Sequence, residues 1–117
     1  MERKNKQMKI DFLHCWNAIQ KSVHEIAKEK GWWDERRSGA ECIALMHSEL
    51  SEALEGLRHG DPPDDHIPEF TSQEAELADA VIRIMDYAEA NILRVGDAIL
   101  AKIEYNKTRS YKHGKKF

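Results

Sequence analysis

Apolar residues return every three or four positions along four stretches of this chain. No stretch alternates apolar with polar for a useful length, so the pattern predicts helices and no strands. The first stretch runs from about Met8 to Lys30, with Phe12, Trp16, Ile19, Val23 and Ile26 on one stripe and Gly31 as its stop. Leu13, Cys15 and Ala18 widen that stripe beyond what one partner helix needs, which points to a subunit contact. The second runs from about Ser38 to His59, with Ile43, Met46, Leu50, Leu54 and Leu57 as its expected core stripe. Gly60 caps it, and Asp61-Pro62-Pro63 forbids continuation. A polar, proline-containing link, long enough to be mobile, leads to Phe70.

The third helix begins at Thr71 or Ser72, where Thr71 with Glu74 fits a capping box. Leu77, Val81, Ile84 and Ala88 mark its core face. A short turn at Arg94-Val95-Gly96 leads to a fourth helix from about Asp97 to Arg109, and residues 111–117 read as an extended tail. These elements predict one all-α domain over residues 1–117, a four-helix bundle with a basic tail at 110–117. So small a bundle buries a modest core, and a homodimer or homotetramer would stabilise it.

Composition narrows the classes. At 41% hydrophobic and 33% charged residues the chain has a globular, water-soluble balance. No apolar run approaches the roughly 20 residues that cross a bilayer, so no membrane partner is expected. The charged start lacks an apolar signal core, and the expected location is cytoplasmic. Cys15 and Cys42 are too few and too scattered for a disulfide scaffold or a zinc site. A net charge of −3 gives no support to binding a nucleic-acid polymer.

The acids carry the chemistry. Glu49 and Glu52 on the second helix, and Glu76 and Asp79 on the third, are each spaced i, i+3 beside a core stripe. If the two helices pack antiparallel, four carboxylates converge and raise one another's pKa unless a cation neutralises them. Hard oxygen ligands in an open cluster suit Mg²⁺ or Mn²⁺, with phosphate chemistry to follow. A lone acidic pair of this kind is usually a solvated helix face; two pairs on consecutive helices are less ordinary.

Glu49-x-x-Glu52 followed by Glu76-x-x-Asp79 resembles the signature of the MazG-like, all-α nucleoside triphosphate pyrophosphohydrolases. The segments Ile43–Gly60, Glu74–Ile84 and Lys102–Phe117 resemble blocks of that family, and the resemblance spans most of the chain from Gly31 onward. It implies Mg²⁺-dependent cleavage of a (deoxy)nucleoside triphosphate to the monophosphate and pyrophosphate. Glu49, Glu52, Glu76 and Asp79 would be the metal ligands, with Glu52, or else Glu49, orienting or deprotonating the attacking water.

Lys102, Asn106 and Arg109 form one stripe of the last helix, either holding a triphosphate or simply solvated at a helix end. The resemblance supports the first reading, and the stripe would then serve its own or a neighbouring copy's site. Tyr105 packs or touches nucleotide. Trp32 and Trp33 either plug the bundle end or stack on a base, Trp33 being preferred for the base. Arg36 and Arg37 assist phosphate or lie exposed, and Glu55 and Asp86 are either hydrogen-bond partners around a metal or plain helix surface charge. His47 and His59 have no ligand spacing. A di-iron bundle is disfavoured because no histidine follows a glutamate by three. Two alternatives stay open: a non-enzymatic helical interaction module, and the same chemistry on another phosphoanhydride such as phosphoribosyl-ATP.

Overall fold

The structure, a computed structural model, describes residues 1–116; Phe117, the end of the expected tail, lies outside the described residues. The chain runs α1 (Glu2–Glu29), α2 (Gly39–Arg58), α3 (Ser72–Ala90) and α4 (Val95–Lys107), then a single 3₁₀ turn at Tyr111–Gly114. There is no strand among the described residues. The architecture is all-helical and compatible with a helical bundle. Among the described residues no helix is long and apolar enough to cross a membrane.

Local chemistry sets the ends of the elements. Ser38 Oγ accepts the Glu41 amide at 3.1 Å to start α2. Thr71 and Glu74 form the expected capping box, with the two reciprocal bonds at 3.2 and 3.0 Å. Gly31 and Gly60 follow α1 and α2 with φ of +89° and +82°, a conformation that costs a residue with a Cβ more. α1 starts earlier than its apolar stripe because its first turns are rich in helix formers. An i, i+4 bond from Gln7 to Asp11 at 2.9 Å adds to them. In the 111–114 tail, a 3₁₀ turn replaces the expected extended chain.

α3 is the central element. It packs along α2 on one side and along α1 on the other, while α4 leans mainly on α1. α2 and α3 run antiparallel: Gly39 at the start of α2 meets Tyr87 near the end of α3. At the other end Gly56 meets Ser72. A Cβ at Gly39 would fall 2.7 Å from the Tyr87 hydroxyl, so the helices come too close there for any side chain to intervene. The thirteen-residue link between them, 59–71, is tied by backbone bonds, Ser72 N to Pro62 O at 2.7 Å and Asp64 N to Phe70 O at 2.9 Å. Asp61 adds a side-chain bond to the Gln73 amide at 2.8 Å.

The core differs from the expected stripes. Its buried apolar residues are Cys42, Ala53, Ala75, Ala80, Met85 and Ala88, nearly all small. Ile43, Leu50, Leu54, Leu57, Leu77, Val81, Ile19 and Ile26, on the expected stripes, are 41–55% exposed. Small residues bring α2 and α3 together at close range, and the larger side chains turn outward from that seam. The helical period is as expected, but the face that meets α3 is a different one.

Candidate metal centre and adjoining cavity

The close seam between α2 and α3 also carries acids. Glu49 sits between Cys42 and Ala53 on the inner side of α2, and Glu76 and Asp79 lie beside Ala75 and Ala80 on α3. One carboxylate oxygen from each of Glu49, Glu76 and Asp79 lies within 4.8 Å of the other two. Desolvation, a hydrogen bond shared with Glu49, and the charges of Asp79, Glu49 and Glu52 push the Glu76 carboxyl up to about 7. Asp79 is also raised, by desolvation first and then by Glu49, while Arg83 opposes the shift.

Glu52, one turn along α2, is exposed and outside the group of three, although its charge acts on Glu76. The link adds Asp64, whose charge pushes Asp79 up. Asp64 accepts the backbone amides of His66 and Ile67 at 2.9 and 3.0 Å, which holds its own carboxyl below the ordinary range.

Arg83 lies one turn beyond Asp79 on the same face of α3, and its Nε donates to Glu49 Oε1 at 2.8 Å. The acidic cluster forms one wall of a cavity of about 290 Å³, with Glu49 and Asp79 at its edge. Val23, Ile26 and Ala27 of α1 and Ile82 of α3 make the apolar wall opposite. Lys30, Trp32, Arg37 and Arg83 add cations and an indole. A mostly apolar cavity with a few charged groups suits a small organic anion better than a bare ion.

Asp86 closes the cavity and is itself buried. His24 Nδ1 lies at hydrogen-bond distance, 2.7 Å, from its Oδ1. Trp33 Nε1 donates to the same carboxylate at 2.9 and 3.1 Å, and Arg37 lies 3.7 Å away. The His24 and Trp33 rings meet edge to face at 5.4 Å, and the Arg37 guanidinium lies 4.9 Å from the Trp33 ring. This network pins the α1–α2 connection against α3 and fixes the cavity's end.

The predicted substrate residues divide. Trp33 is committed to Asp86, and its neighbour Trp32 is the indole that lines the cavity. Lys102, on the helix that leans against the N-terminal half of α1, and Arg109, past the end of that helix at Lys107, flank the Tyr105 ring at 5.2 and 5.6 Å. There Lys9 pairs with Glu104 at 3.2 Å, and Gly96 abuts Trp16. Val23 to Lys30, at the far end of α1, line the cavity, so Lys102, Asn106 and Arg109 are not brought to it within one chain.

Sequence reasoning missed Arg83 and His24, and it left Arg37, which lines the cavity, between assisting phosphate and lying exposed. Arg83 had a readable signal, i+4 from an expected ligand on the same helix; His24 had none, because its partner is 62 positions away. Comparison with protein-family models, curated proteins and solved structures finds no match to this chain.

Proposed function

We propose that the chain is a Mg²⁺-dependent pyrophosphohydrolase of (deoxy)nucleoside triphosphates with a MazG-type fold. The observation that carries this reading is the convergence of Glu49, Glu76 and Asp79 beside a cavity with an apolar wall and three cations. The donor set fits the ion: three hard carboxylates share one arginine, and desolvation together with the neighbouring acids holds one of them half-neutral near pH 7. A bound divalent ion supplies Lewis acidity and screens phosphate charge.

The chain's own residues do the rest. Glu49, Glu76 and Asp79 hold the ion, Mg²⁺ or Mn²⁺. The exposed Glu52 is free to take the proton from a water that attacks phosphorus. The anhydride P–O bond breaks, and its electron pair leaves with pyrophosphate. The apolar wall and Trp32 take the base, while Lys30 and Arg37 meet anionic oxygens. Lys102, Asn106 and Arg109 would reach a neighbouring copy's cavity in a homodimer or homotetramer, for which the outward-facing leucines are the support.

Those leucines also favour a second reading, a helical interaction module with no catalytic role. Incubation with a panel of nucleoside triphosphates plus Mg²⁺, with assay of released pyrophosphate, separates the two. Turnover of at least one triphosphate is expected. No product with any of them, together with a melting temperature that Mg²⁺ leaves unchanged, would favour the module.

A further inference from the structure

Arg83 is the one cation paired with any of the three converging carboxylates among the described residues. Its bond to Glu49 joins two shielded groups, Glu49 at 13% and Arg83 at 30% side-chain exposure, so it is screened less than a surface pair. The bond uses Nε alone, and the Arg83 side chain borders the cavity into which it could turn. Asp86 lies one turn further along α3 and lines the same cavity. A divalent ion seated on Glu49 would repel a guanidinium held within hydrogen-bond distance of that carboxylate.

We infer that Arg83 stands in for the divalent ion, pairing with Glu49 while the cluster is metal-free and giving that carboxylate up when an ion binds. The inference rests on the metal-binding reading above and deepens it. Arg83 is a positioning residue. It keeps Glu49 aimed at the seam without metal, and it sets a threshold that the ion must overcome. The contrary arrangement has Arg83 staying on Glu49 and bracing it as a ligand. The two predict opposite signs.

Calorimetric titration of the full chain with MnCl₂ reads the sign. Arg83→Gln should bind Mn²⁺ about fivefold or more tightly than wild type, within the usual range of coupling between sites. Arg83→Lys, which keeps the charge without the fork, should fall between. A second readout needs only the wild-type fold: the Arg83 Nε–H resonance, identified by its loss in Arg83→Lys. It should shift as Mg²⁺ is added, with the midpoint of metal binding. Equal or weaker Mn²⁺ binding by a folded Arg83→Gln, or an Nε–H signal that stays put while wild type fills with Mg²⁺, overturns the inference and leaves the metal site standing. Wild type that binds neither ion overturns both.

Discussion

Glu76 is the residue whose ionisation responds most directly to the fold. Its carboxyl moves from an ordinary 4.5 to about 7, so the folded protein holds a proton there that the unfolded chain has released. Folding is therefore favoured most below about pH 4.5, and that contribution is lost as pH rises towards 7. In chelator, the melting temperature should fall between pH 5 and 7.5, and Glu76→Gln should flatten the fall. A wild-type profile that rises across this window would contradict the assignment. Saturating Mg²⁺ should abolish the slope, because an ion replaces the proton. Glu49→Gln and Asp79→Asn should keep the helical spectrum. Each should weaken metal binding by more than the roughly 10–100-fold that loss of an outer partner costs. Titration calorimetry checks this, and near-normal affinity in both would remove the acids from the site. The i, i+3 spacing made these acids legible in the sequence. For Arg83 the only signal was its place one turn beyond Asp79, since an arginine on a polar helix face looks the same whether it meets water or an acid across a seam.

Helix order, caps and breaks were likewise legible, since each is written in neighbouring residues such as Thr71 with Glu74. Which face of α2 meets α3 was not. The leucine stripe was the stronger hydrophobic signal, yet Gly56, Ala53 and Cys42 form the contact because only small side chains let two acid-bearing helices approach. Any Cβ on Gly56 would collide with the Ser72 side chain at the first turn of α3. Gly56→Ala should therefore cost about 1–3 kcal/mol by overpacking, against the slight gain expected of alanine in an open helix. Denaturant unfolding of metal-free protein checks it. A stabilised Gly56→Ala would mean that the helices stand further apart than the structure has them.

At the scale of the molecule, the single chain is loosely drawn together. Its radius of gyration is 16.9 Å, where a compact domain of roughly 100 residues has about 13 Å. Among the described residues no large side chain is fully buried, and Leu50, Leu54 and Leu57 form an outward row. A second copy covering that row would explain both features. Light scattering should give at least twice the monomer mass of 13.6 kDa, and Leu54→Glu should shift it toward the monomer with a lower melting temperature. A wild-type mass of one chain at micromolar concentration would refute this. Asp79 and Asp86 stand two turns apart on one rod, roughly 10 Å along its axis. One looks into the acid cluster, and the other anchors the far end of the cavity. Rolling that rod a few degrees would carry both ends of the site together, so whatever wedges between α1 and α3 also retunes the grip on the ion.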